Sequence, residues 1–285
     1  MSTPEIPEWQ RALARQAASA AENIRQALLP MVPLVEQARE RIAEGLLANA
    51  DLIQSAQRTL AQMEQAWRVC TPENWHELEP DELETLMSLA QDAGICLVWA
   101  PRTEVIRRVL AAADPEAAIE VLADAGDLIL DDLEEVLSEV RETEIDGHSE
   151  ARAFAAEAIA AARDGHFHAA QSLAASGLGQ VLHVALGFPL FYGLGRAYRE
   201  FAARSIDDAS IWVVKVTLIE LATARALTDV DKTTPTGFDR HGTQHGVREF
   251  FSTGNALAGL LLLVAWTREL QWIADEYPEG LRDDE

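Results

Sequence analysis

Apolar residues recur at three- and four-residue intervals along most of this chain, the spacing that gathers them on one face of an α-helix. Trp9, Leu13, Ala17, Ala20, Ile24 and Leu28 form the first stripe, which Pro30 and Pro33 interrupt. A second seam runs through Val35, Ala38, Ile42, Leu46, Asn49, Ile53, Ala56, Leu60, Met63 and Trp67. It predicts one long helix over 34–67, packed antiparallel against the first. The segment TPENWHELEPDELETL supplies turn and capping chemistry, with Pro80 and Asp81 suited to a helix start. GICLVWAP, at 94–101, is short and β-branched enough for a strand and equally suited to a buried connector. DLILDDLEEVLSEV predicts an amphipathic helix with Leu130, Leu133, Leu137 and Val140 inward and its carboxylates in solvent.

Four more helical segments are expected at about 148–163, 166–187, 206–228 and 253–274. Between the second and third lies the aromatic insert GFPLFYGLGRAYREFAAR, at 187–204. The fold class is therefore all-α. The polar stretch RETEIDGHSE, at 141–150, is the expected boundary. It separates an N-terminal helical hairpin or bundle region, 1–147, from a C-terminal up-and-down bundle, 148–285.

Charge sharpens that division. The net charge is −24 over 285 residues. Residues 1–147 carry 11 Lys and Arg against 29 Asp and Glu, whereas 148–285 carry 12 against 18. An acidic surface repels phosphate, so the C-terminal part is the one expected to tolerate a phosphate ligand, and the acidic part is expected to regulate or to bind a partner. Cys70 and Cys96 form no paired motif and fit a reducing cytoplasm. No apolar leader opens the chain, and no apolar run reaches the ~18 residues of a membrane span. A cytoplasmic protein without membrane contact is expected.

The candidate chemistry lies in GFDRHGTQHGVREFF, at 237–251, just before the most apolar segment. The guanidinium of Arg240 is permanently charged and suited to holding a phosphate. The imidazoles of His241 and His245 are suited to moving a proton to or from a ribose or leaving oxygen. Such chemistry needs no metal and no cofactor. Gly242 and Gly246 are expected to let backbone approach a ligand, and Thr253 to cap the following helix. The plain alternative is a polar loop in which Arg240 pairs with Asp239 or Glu249.

FDRHGTQHG, followed by NALAGLLLLVAW, resembles the active-site element of the HEPN superfamily, in which an Arg-polar-x3-His element precedes an apolar last helix. The helix ARDGHFHAAQSLAASGLGQVL, at 162–182, is similar to the second helix of such domains. The resemblance covers roughly 148–274, and its specific part is Arg240, His241, His245, Gly246 and Asn255. It implies a four- to five-helix up-and-down bundle and a metal-independent endoribonuclease, a toxin or phage-defence effector. RNA is then the substrate, a homodimer the assembly, and an antitoxin or defence-system protein a possible partner. Arg240 and His245 become the catalytic pair and His241 their polar companion. The insert at 187–204 departs from the family pattern by its length.

Two other readings compete. His166 and His168, with His241 and His245, offer nitrogens to zinc, although no glutamate completes an HExxH arrangement. The Arg–His loop also fits a non-catalytic helical interaction protein. His183 reads as a core histidine, and Trp212, Trp266 and Trp272 as core or interface anchors.

Overall fold

The structure is a computed structural model and describes residues 71–185, 211–227 and 237–276. The two N-terminal stripes, Cys70 and the insert at 187–204 lie outside the described residues. Among the described residues every regular element is helical: the fold is all-α, with nine helices. They are α1 (Pro80–Ala93), α2 (Thr103–Leu110), α3 (Pro115–Asp124), α4 (Gly126–Glu139) and α5 (His148–Arg163), then α6 (Phe167–Gln180), α7 (Ile211–Ala226), α8 (Arg240–Gln244) and α9 (Thr253–Glu276).

Local chemistry sets the helix ends. Pro80 opens α1 behind a capping box in which the Glu79 N–H donates to Glu82 Oε2 at 2.8 Å. Gly94 closes α1 in the left-handed region at φ 67°, with its N–H on the Ala90 carbonyl. Asp114 caps α3 through the Ala117 N–H at 2.9 Å, with Pro115 in the first turn.

The segment at 94–101 is the buried connector, not a strand. Ile95, Cys96, Leu97 and Val98 are buried, and side chains bond the backbone that no neighbouring strand pairs. Trp75 Nε1 donates to the Leu97 carbonyl at 2.8 Å, and Asn74 Nδ2 to the Pro101 carbonyl at 2.9 Å. In α4 the expected leucines face inward, but the acidic face is not merely solvated. Asp132 is buried, takes the Arg102 backbone N–H at 2.7 Å and pairs with its guanidinium. Asp131 and Glu134 hold Arg163 of α5.

The organising element is α9. From Gly254 to Gln271 every residue except the half-buried Arg268 is buried. It packs against α3, α4, α5, α6 and α7. One core therefore draws side chains from both sides of residue 147, including Leu122, Ile129 and Leu133 before it and Ala158, Ala174 and Leu178 after it. The segment ALAGLLLLVAW is apolar on every side, and such a surface invites a partner copy. The structure covers it from within the same chain, which removes that reason for a dimer. Small residues make the close packing possible: Ala155 and Ala158 on α5 and Ala170, Ala174 and Gly177 on α6 are buried. A Cβ at Gly177 would sit 2.7 Å from Leu263 of α9.

The core also holds a charged pair. Lys215 Nζ of α7 lies 3.0 Å from Glu269 Oε2 of α9, with the two side chains 2% and 0% exposed. The ammonium sits 4.7 Å from the Trp99 ring centre and 4.5 Å from that of Trp272. Trp99 is left-handed at φ 68°, a strained conformation for a tryptophan that this packing holds in place. Trp266, read as an anchor, is buried and donates from Nε1 to Thr223 Oγ1 at 2.8 Å.

Removing one charge of the pair leaves the other buried. Glu269→Ala is expected to cost about 3–5 kcal/mol in urea unfolding, and a Lys215→Met/Glu269→Leu double variant to recover most of it. Stability also responds to pH through Glu220 of α7, whose carboxyl burial pushes up to about 8 from 4.5. The unfolded chain releases that proton near 4.5 and the folded chain only near 8. The stability is therefore full below pH 4.5 and declines as pH rises to about 8, by about 1.4 kcal/mol per unit. Glu220→Gln is expected to flatten that slope in unfolding curves measured between pH 5 and 8.

Candidate functional site

The candidate loop is held by packing at both ends. Gly237, at φ 91°, lies so close to the end of α1 that a Cβ there would strike the Ala93 carbonyl. Phe238 is buried against Gly259 of α9. The buried Asp239 then caps α8, its Oδ1 accepting the Gly242 N–H at 2.6 Å. Burial lowers the pKa of the Arg225 guanidinium on α7, and the charges of Asp239 and Asp92 oppose that shift. Gly246, at φ 64°, ends the turn in open space. Gly242 does not face a ligand as expected: a Cβ there would meet the Phe250 ring at 2.5 Å, so its role is packing.

A five-residue helix has little stability of its own, and a buried glutamine anchors this one to α6. Gln171 is 0% exposed. Its Nε2 donates to Thr243 Oγ1 and to the Phe250 carbonyl, both at 2.8 Å, and its Oε1 accepts the Ser252 N–H at 3.4 Å. Asn255 donates from Nδ2 to the same Phe250 carbonyl at 2.9 Å, which uses both oxygen lone pairs. Ser252, not Thr253, caps α9: its Oγ accepts the Asn255 N–H at 3.0 Å. Sequence reasoning missed Gln171. The available signal was one amide in a helix face otherwise made of alanine, glycine, serine and leucine.

On this anchored turn the three candidate side chains take two directions. His241 and His245 are exposed, with ring centres 4.3 Å apart at an interplanar angle of 67°. They are four residues apart and share the outer face, whereas Arg240 lies about 100° round from His241. Arg240 is half-buried and turns onto α6, where its Nε donates to the Ala175 carbonyl at 3.1 Å. A Cβ on Gly179 would collide with its guanidinium, so the glycine makes the seat. Among the described residues no carboxylate forms an ion pair with Arg240, neither Asp239 nor Glu249. Burial alone shifts it, lowering its pKa from the ordinary 12.5.

Among the described residues no three histidine, cysteine or carboxylate groups gather as a metal site would need. His166 and His168 stand at the start of α6, apart from the imidazole pair of α8, and His183 is half-buried in the π-type turn Val181–Ala185. Cys96 is buried, with its thiol pushed up to about 12 by burial, and is inert as a nucleophile. No described helix is long and apolar enough to cross a membrane.

The chain matches no family model, no curated protein and no solved structure. The arrangement itself therefore carries the chemistry: an exposed imidazole pair beside a guanidinium without a counter-charge among the described residues, in a chain of net charge −24.

Gly179→Ala tests the seat. Alanine is favoured over glycine within a helix by ~1 kcal/mol, and only the mobile end of Arg240 has to move. The expected result is a melting temperature equal to or above that of the parent, with anion binding at the loop reduced as far as by Arg240→Ala. Melting curves and phosphate titrations by NMR check both halves of that expectation.

Proposed function

We propose that this protein is a metal-independent endoribonuclease of the HEPN type, an effector in cellular defence, acting in the cytoplasm. The observation that carries the proposal is the half-buried Arg240, which no carboxylate among the described residues compensates, next to the exposed His241–His245 pair. A partly desolvated guanidinium without a carboxylate favours an incoming anion, and RNA supplies one in its phosphodiester.

In this reading one imidazole, assigned to His245, takes the proton of a ribose 2′-hydroxyl. The 2′-oxygen attacks phosphorus, and the bond to the 5′-oxygen breaks. A protonated imidazole, assigned to His241, returns a proton to that leaving oxygen. The products are a 2′,3′-cyclic phosphate and a 5′-hydroxyl. Arg240 balances the charge that builds on the phosphoryl oxygens. A second copy, facing its own Arg240 and His245 across a cleft, belongs to the proposal through the family resemblance. So does an antitoxin or defence-system protein bound by the acidic region 1–147.

One observation favours the competing reading of a non-catalytic interaction protein: Arg240 Nε is occupied by the Ala175 carbonyl. Cleavage of single-stranded RNA by the full chain in EDTA separates the two. Cyclic phosphate ends are expected, with loss of about 10²–10⁴-fold in His245→Ala and Arg240→Ala and a smaller loss in His241→Ala. Activity that disappears with chelator and returns with zinc would transfer the role to the histidines as metal ligands. Absence of cleavage by the wild type would leave the interaction reading.

A further inference from the structure

At the start of α6, the helix whose later turns seat Arg240, lies an open hollow of about 450 Å³. It is lined by Gly165, His166, Phe167, His168, Ala169 and Thr253. We infer that this hollow is a nucleotide subsite, which seats the base adjacent to the cleaved phosphodiester of single-stranded RNA. The inference rests on the ribonuclease reading and adds to it where the strand lies.

Three observations support this. First, the hollow belongs to the same wall as the proposed site. Along α6, from its C-terminal end towards its start, the candidate loop touches Gly179 and Ala175 through Arg240, then Gln171 through Thr243 and Phe250. Phe251 follows, its ring centre 5.1 Å from that of His168. Ala175 and His168 are seven residues apart, which is about 10 Å along a helix. That separation suits neighbouring nucleotides of one strand.

Second, the lining is aromatic and imidazole-bearing. Phe167 is half-buried, His166 and His168 are exposed, and His168 is tilted by 50° against Phe251. Such rings offer stacking faces that every base accepts, which is how single strands are held without a strict sequence code. The volume lies within the range of small-ligand sites. Third, none of the six lining residues is acidic, in a chain with 47 Asp and Glu against 23 Lys and Arg. No carboxylate of the lining itself therefore repels phosphate there.

Ala169 supplies the test, because it lines the hollow and is exposed. A glutamate in the first turn of α6 is favourable to the helix, so weaker RNA binding by Ala169→Glu is not a folding effect. The full chain carrying His245→Ala is titrated with a fluorescein-labelled single-stranded RNA, followed by anisotropy. Ala169→Glu is expected to weaken binding about tenfold, Ala169→Lys to tighten it, and Ser88→Glu on α1 to report the effect of net charge alone. With His245 restored, Ala169→Glu is expected to raise KM and leave kcat within twofold, and His168→Ala to change the preferred base beside the cut. If Ala169→Glu weakens binding no more than Ser88→Glu while the parent still cleaves RNA, the subsite is wrong and the ribonuclease stands. If the parent neither binds nor cleaves RNA, the ribonuclease reading falls and the subsite falls with it.

Discussion

The stretch 257–266 of the 24-residue α9 is apolar on every face and has to be surrounded, and the architecture follows from surrounding it. Five helices contribute: α3 and α4 from one side of the polar stretch at 141–150, and α5, α6 and α7 from the other. Hydrophobic burial is non-directional, so what selects this arrangement is steric fit. The small faces of α5 and α6 bring their backbones close to α9. His148 of α5 then donates from Nε2 to the Thr267 carbonyl at 3.0 Å and holds the contact at a defined register.

The charged groups Lys215 and Glu269 are paired inside this core, and the pairing specifies position. Lys215 enters with its own counter-ion and two aromatic walls, which join α7, α9 and the connector after α1. Ion pairs of this kind add little net stability over an apolar replacement but penalise any misregistered packing, because a displaced partner leaves a bare charge in a dry interior. The left-handed Trp99 is held by the same cluster.

The candidate site is a consequence of where α9 begins. The chain must leave the core at Phe238 and re-enter at Ala256, both fully buried, and the segment between them lies along α6. Gln171 and Asn255 bond its backbone at Phe250 and Ser252, and Gln171 ties the five-residue α8 to α6 through Thr243. The exposed outer face of α8 then presents two imidazoles, while the inner face presses a guanidinium into the seat made by Gly179. Among the described residues that charge is partly buried with no carboxylate beside it.

Much of this was legible from residue spacing alone. The period of apolar positions marked α1, α4, α5, α6, α7 and α9, because each must present a continuous stripe to a core, whereas the shorter α2, α3 and α8 carry too few apolar positions to show one. Proline, glycine and aspartate determined several of their ends through the backbone geometry and hydrogen bonds that those residues permit. The residues of the candidate loop were legible as a chemical set, since arginine and histidine stand out in a chain of alanine, leucine and glutamate. Their directions were not. That His241 and His245 face outward together while Arg240 turns inward depends on Gly179, Gln171 and Phe250, which stand between 5 and 69 residues from the nearest of them. Nor does a local pattern reveal which apolar helix is central: α9 reads equally as an interface or as a core until the surfaces of α3 to α7 close around it. Periodicity is a property of neighbouring residues, whereas burial and orientation are set by contacts between segments distant in the chain, and only the tertiary structure decides those.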